Sequence, residues 1–410
     1  MTDDDIADFG RRIRELRSAR RLTLRELSDL TGISYGHLGK IERGEREVDR
    51  RRTLEALALG LRVAAWDLTD QPVASYDPVS REGHAALREV EAALEIYELG
   101  HDPGVAARPW PEIAADVRHL IDLMHVHSDY VGQGQLLPKL LPELHAAYVR
   151  YPEHRTEILR ALIRAYASAT WTTKRLGGRG LPAIASRYAQ QIAGELNEPQ
   201  WIGFAAWLRG DATGQLSRPD QYRRSVSAAD NLAGQLDNDQ VAQAYGMLHL
   251  SAALASAAQA DRTTANTHLA EAAAVAERLD PEVGSFARLW FGRPNVKVWT
   301  VALATEFGDG PKVAEVARNV AIEAIPSPSR KAEFWSDVGR SLLPHAKTRE
   351  EGLHAILTAE RLAPQRVRND VFVREAVAAR FRRDRREAGG RELRGLAYRM
   401  GLHTGSTSIG

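Results

Sequence analysis

The sequence contains no cysteine, which excludes disulfides, thiolate metal sites and cysteine nucleophiles together. It also lacks an apolar run as long as the roughly 18 residues a membrane span needs, so no membrane partner is expected. The opening stretch MTDDDIADFG is acidic and has no apolar segment, so no signal peptide is expected and the cytoplasm is the expected compartment. No His-Glu-x-x-His motif and no paired-carboxylate constellation appears, so neither a catalytic site nor a cofactor is expected. His125 and His127 stand two apart, which on a helix points them to different sides, and no third ligand accompanies them. No metal site is expected there. The glycine-rich run Leu176–Gly180 has no strand before it, so it reads as an inter-helix turn and not as a phosphate cradle.

What is present is charge, unevenly placed. The 410 residues sum to +1, yet Phe9–Trp66 holds 14 Lys/Arg against 8 Asp/Glu, a net of +6. Such a basic segment suits phosphate neutralisation. A second basic stretch, Arg361–Arg399, holds 12 Arg against 5 acids, and its run Arg380–Arg386 reads mainly as a solvated face. Rich Ala, Leu, Arg and Glu usage with few β-branched runs points to an all-α chain.

The most informative stretch is Leu22–Gly44. Thr23 stands where an N-cap belongs, and Glu26 three residues later completes a capping box. Leu27 and Leu30 give the first helix an apolar side, while Ser28 keeps a contact small. Gly32 falls where the chain must turn sharply, because glycine enters positive φ without a Cβ penalty. Ile33 fills the corner, Ser34 offers a second N-cap, Leu38 and Ile41 supply the next inward stripe, and Gly44 closes that helix.

The pattern Ile13-x-x-Leu16-Arg17, Leu22-Thr23-x-x-x-Leu27, then Gly32-Ile33-Ser34-x-x-x-Leu38-x-Lys40-Ile41-Glu42-Arg43-Gly44 resembles the Cro/phage-repressor (XRE) helix-turn-helix family of bacterial regulators. That resemblance covers roughly residues 6–68. It implies that Ser34–Arg43 is a recognition helix lying in the major groove of an operator duplex. Tyr35, Gly36, His37 and Lys40 would then meet base edges, Lys40 donating to guanine O6 or N7. Thr23, Arg25, Ser34, Arg43 and Arg46 would meet phosphates, which position without specifying sequence. Where the family commonly carries glutamine, this chain has Leu24 and Tyr35. The resemblance also implies an ion pair between Arg17 and Glu42, and a homodimer reading two half-sites.

Around this stretch, residues 6–20 read as a first helix and Asp49 as the cap of a fourth over about Arg50–Leu61. Trp66 and Leu68 read as a last apolar plug, giving a five-helix domain over 1–68. Residues 69–80, with Pro72 and Pro78, read as a linker. From 81 to 410 amphipathic stretches alternate with short turns. Similar helix ends recur at Leu196, Leu236, Leu279, Ile325 and Leu362, spaced by 40, 43, 46 and 37 residues. Paired helices at that period, with alanine at the crossings, predict an α-solenoid of tetratricopeptide-like repeats.

A solenoid leaves a concave face for a peptide, a protein or a small molecule. Its candidate lining residues are Trp171, Lys174, Trp207, Arg209, Tyr245, Trp290, Arg293, Asn295 and Trp299. The run Leu289–Trp299 concentrates them around a Gly-x-Pro break where a helix is expected to stop, and Arg293 and Asn295 there suit a backbone or a carboxylate. The whole reads as a DNA-binding transcriptional regulator whose repeat domain senses a signal and dimerises, similar in architecture to peptide-sensing bacterial regulators. The alternative is a DNA-tethered adaptor, or an antitoxin-like protein whose repeats hold a protein partner.

Overall fold

The computed structural model describes residues 4–402 except 21, 47, 49, 50, 62, 64–67, 69–77, 97, 179, 214–217 and 385–389. The expected cap at Asp49, the plug residue Trp66 and most of the expected linker lie outside the described residues. The described residues are helical almost throughout, and their extended pairing is an isolated antiparallel bridge between Val283 and Gly292. The chain is all-α.

Among the described residues, the helices of the small domain are α1 (Asp4–Ala19), α2 (Leu24–Thr31), α3 (Tyr35–Glu42) and α4 (Arg51–Gly60), and most of the stretch where the fifth is expected lies outside them. The capping box forms, with the Thr23 hydroxyl accepting from the Glu26 N–H at 3.2 Å and the Glu26 carboxylate accepting from the Thr23 N–H at 2.7 Å. Gly32 sits at φ 65°, and the Ser28 hydroxyl donates to the Ile33 carbonyl at 2.6 Å, locking the turn. Ser34 occupies the N-cap position of α3 but makes no side-chain capping bond, so the second cap expected there is absent. Ile13, Leu27, Leu38, Ile41, Leu54, Leu57, Leu61 and Leu68 bury together as one core. Each such side chain stabilises by about 1.5–3 kcal/mol, which makes the domain's packing and not helix propensity its main support.

Sixteen further helices follow among the described residues: α5 (Pro78–Ile96), α6 (Trp110–Asp122), α7 (Tyr130–Arg150), α8 (Arg155–Arg175), α9 (Leu181–Leu196), α10 (Pro199–Thr213), α11 (Arg218–Leu232), α12 (Asp239–Ala258), α13 (Arg262–Ala276), α14 (Arg293–Phe307), α15 (Lys312–Arg318), α16 (Pro328–Leu342), α17 (Arg349–Leu362), α18 (Pro364–Arg368), α19 (Val371–Asp384) and α20 (Arg391–Arg399). Helix α5 takes up the last three residues expected in the linker. Leu196 and Leu362 end α9 and α17, whereas Leu236, Leu279 and Ile325 follow α11, α13 and α15 by three to seven residues.

The alternate set α8, α10, α12, α14 and α16 packs side by side as an inner layer. Helix α12 is buried along nearly its whole length because α10, α11, α13 and α14 surround it, and alanines such as Ala244, Ala253 and Ala257 let the axes approach. The Gly-x-Pro break at Gly292–Pro294 starts α14 instead of ending a helix: proline at a first-turn position has no lost hydrogen bond to regret.

The open concave face expected of the solenoid is closed. The late helices return to the early ones, with the Gln365 side chain accepting from the Tyr130 N–H at 2.8 Å and donating to Asp129 at 2.8 Å. Arg175 of α8 pairs with Asp370 at 3.1 Å, and α16 packs on the π-helical turn Leu123–His127. The basic C-terminal stretch is correspondingly less solvated than its composition suggests. Arg380 is buried, Arg366 pairs with Glu333, and Arg368 and Arg399 both grip Glu360.

Candidate functional site

Helix α3 divides cleanly. Leu38, Gly39, Ile41 and Glu42 face inward, whereas Tyr35, Gly36, Lys40 and Arg43 are exposed, Tyr35 at 59%. Gly36, Lys40 and Arg43 follow one another at helical spacing on the outer face. His37 is half-buried at its edge, and Arg25, Ser34 and Arg46 are exposed beside it. Tyr35 joins Thr23, Leu24 and Arg25 in lining a shallow groove between the starts of α2 and α3. The expected contact residues therefore share one surface, and Thr23 and Arg43 are among those already engaged. Thr23 is held in its capping box, and Arg43 donates to Glu45 at 2.6 and 3.0 Å. The Thr23 N–H and then its hydroxyl hold the Glu26 carboxyl below its ordinary pKa, so the box persists in mildly acidic solution.

The outer face is set by what lies beneath it. Arg17 of α1 donates from Nε and Nη2 to the two oxygens of buried Glu42 at 2.7 and 2.9 Å, and from Nη1 to the Leu22 carbonyl at 2.8 Å. The expected pair thus ties α1, α3 and the α1–α2 connection at one point, and the hydrogen bond to Glu42 raises the Arg17 pKa. Two neighbours escaped the sequence analysis. Arg14 donates to the Glu42 carbonyl at 3.3 Å. Gly10 lies so close to the end of α3 that an added Cβ would stand 2.4 Å from the Ile41 oxygen and 2.7 Å from that of Glu42. A glycine in the middle of an otherwise amphipathic helix was the available signal for that close approach.

The string Gly32–Gly36 also spells Gly-x-Ser-x-Gly. The turn that exposes a nucleophilic serine follows a strand, whereas helices flank this one on both sides, and Ser34 here opens α3.

In the large domain the nine candidate lining residues scatter. Lys174 and Trp299 line a central cavity of about 460 Å³. Trp171 lies behind it, donating to Asp211 at 3.2 Å and packing against Trp207. Asn295 is buried, donating to the Leu289 carbonyl at 3.1 Å and accepting from Arg330 at 2.9 Å. Tyr245 donates to Glu271 at 2.9 Å and Trp290 is buried in a separate core cluster. Arg209 donates to Gln190, and Arg293 faces Glu277 and Glu282 at the periphery.

A helix-turn-helix domain family matches residues 8–69 of the chain. An uncharacterised HTH-type transcriptional regulator of Bacillus subtilis (strain 168), RghRB, is 41% identical over 104 residues, covering 25% of this chain and 74% of that protein. The HTH-type transcriptional repressor RghR of the same organism is 36% identical over 58 residues, covering 14% of this chain and 43% of that protein. No solved structure matches the chain. The chain belongs to the family of helix-turn-helix transcriptional regulators, and its small domain is a helix-turn-helix DNA-binding domain. Among the described residues no helix is long and apolar enough to cross a membrane.

Proposed function

We propose that this regulator binds operator DNA as a homodimer, inserting α3 into the major groove, and that its tetratricopeptide-like domain takes up a peptide or small-molecule signal that alters this binding in the cytoplasm. The observation that carries the reading is the exposed face of α3, where Tyr35, Gly36 and Lys40 stand clear of the core on a helix clamped by Arg17 and Glu42. Tyr35, Gly36, His37 and Lys40 contact bases, while Thr23, Arg25, Ser34, Arg43 and Arg46 contact phosphates. For Arg43 this means giving up an exposed pair with Glu45, which solvent screening makes weak. A single short helix covers too little duplex for strong specificity, which favours two-fold dimers on half-sites about 34 Å apart.

The test is a genome-wide footprint of the full chain, followed by duplex binding at several salt concentrations and by light scattering. Paired half-sites, a steep salt dependence and a 2:1 complex are expected. Salt-insensitive binding, or none to any duplex, removes the DNA-reading proposal. A monomer on a single half-site removes the dimer. Co-purification of a stoichiometric protein in place of a small signal favours the adaptor alternative.

A further inference from the structure

The central cavity lies where the inner layer of helices meets the small domain. Its wall is built by residues of α8, α9, α10, α11, α12, α14, α16, α18 and α19, and its volume of about 460 Å³ is within the range that encloses a small organic molecule. Six basic and five acidic residues line it, with apolar side chains making up much of the rest. Arg330 and Arg366 share the one carboxylate of Glu333, at 2.6 and 3.0 Å, so that corner carries more positive than negative charge. Burial works against the charge of Glu333, but Arg366 and Arg330 outweigh it and hold its pKa far below the ordinary value, so the carboxylate does not protonate to accept a ligand anion's company.

Three donors on this wall have no acceptor among the described residues. Arg330 spends Nε on Asn295 and Nη1 on Glu333, leaving Nη2 buried and unbonded. Its guanidinium lies over the Trp299 ring at 4.9 Å, and the Trp299 indole N–H is likewise buried and unbonded. Nε of Arg218, whose side chain is 8% exposed, is the third. A buried donor left unsatisfied is costly, more so when charged, so three on one wall mark a place where an acceptor-rich group belongs.

The same wall touches the DNA-reading domain. Arg218 donates to buried Glu55 of α4 at 3.0 Å, and Val371 and Phe372, which also line the cavity, pack on the core of the small domain. We propose that this cavity binds a small molecule bearing a carboxylate or phosphate, seated on Arg330, Trp299 and Arg218, and that its occupancy changes how the small domain is held. Residues of α18 and α19 close one side of the site, which favours a compact ligand there. This deepens the signal-sensing part of the proposed function and rests on it only for the link to DNA.

The test titrates the full chain with sodium citrate and, separately, sodium pyrophosphate at constant ionic strength, with spermidine as the cationic comparator, by calorimetry and tryptophan fluorescence. Saturable binding of citrate assigns a carboxylate ligand and of pyrophosphate a phosphate ligand, and either supports the site. Arg330→Gln is expected to weaken that binding about tenfold or more, since it removes a charge-assisted donor. Arg330→Lys, which keeps the charge in a smaller change, is expected to weaken it less, and Trp299→Phe is expected to weaken it and abolish the fluorescence change. Absence of saturable anion binding, anion binding indifferent to both Arg330 variants, or preferential binding of spermidine overturns the site. For the link, duplex affinity is measured with and without saturating anion. A change in the wild type that disappears in Glu55→Gln, with anion affinity retained, supports it, and an unchanged affinity overturns the link alone. Anion binding by a chain that fails to bind any duplex overturns the DNA-reading proposal and leaves the cavity assignment standing.

Discussion

Arg218 of α11 and Glu55 of α4 meet at 3.0 Å in an ion pair whose side chains are 8% and 9% exposed, although 163 residues separate them in the chain. Arg218 also donates to Gln221 at 2.8 Å, so the pair is anchored in the large domain and reaches into the small one. Removing one partner strands a buried charge. Glu55→Ala is expected to lower stability by roughly 3–5 kcal/mol in thermal or urea unfolding of the full chain, whereas the double change Glu55→Leu with Arg218→Met is expected to recover most of that loss. A double variant as unstable as the single one would show that packing around the pair, and not its charge, holds the domains together.

Gly10 sets the distance between α1 and the end of α3. Gly10→Ala places a methyl group against the Ile41 and Glu42 carbonyls, and backbone cannot swing aside as a side chain can. A loss of about 1–3 kcal/mol is expected. Because α3 must move to relieve the clash, duplex affinity is expected to fall as well, at temperatures where the variant remains folded. Unfolding and binding curves matching the wild type would place the Cβ without strain.

Lys40 presents an exposed ammonium on the outer face of α3. Lys40→Ala is expected to weaken binding to the footprinted site by ~1–3 kcal/mol and to leave binding to a scrambled duplex nearly unchanged. Equal losses on both duplexes would make Lys40 a phosphate contact. No loss on either would take it out of the interface.

His145 in α7 is 1% exposed, with Nε2 2.8 Å from the Tyr166 hydroxyl. Burial pushes its pKa down to about 4, with the Glu98 carbonyl opposing in part. The unfolded chain takes up this proton near pH 6.5 and the folded chain only near pH 4, so stability is full above about pH 6.5 and falls as pH drops between the two values. The slope approaches 1.4 kcal/mol per pH unit from this group alone. Chemical unfolding from pH 7 to pH 4 checks it: His145→Gln is expected to flatten the decline, and an equally steep decline would assign the acid sensitivity to other groups.

The parts of the small domain visible in the sequence were those built from near neighbours. Thr23 and Glu26 are three residues apart, and a capping box needs nothing else. Gly32 announces its turn because positive φ is a local requirement. Ser34 shows the limit of that logic, since its residue type allows a cap that the geometry does not make. In the large domain, the recurrence of Leu196, Leu236, Leu279, Ile325 and Leu362 followed the alternation of helices, each marker lying at or after the end of every second one.

Residue type and spacing were enough to determine the all-α class, the helix-turn-helix and the rhythm of the long domain, because these follow from interactions within one or two turns of chain. Tertiary structure alone decided that the late helices return to the early ones and that Arg218, Trp299, Arg330 and Arg366 share one cavity wall. The reason is distance along the chain. These side chains come from four helices spread over more than a hundred residues, and no periodicity within a helix records which of its polar groups will be brought face to face with another's.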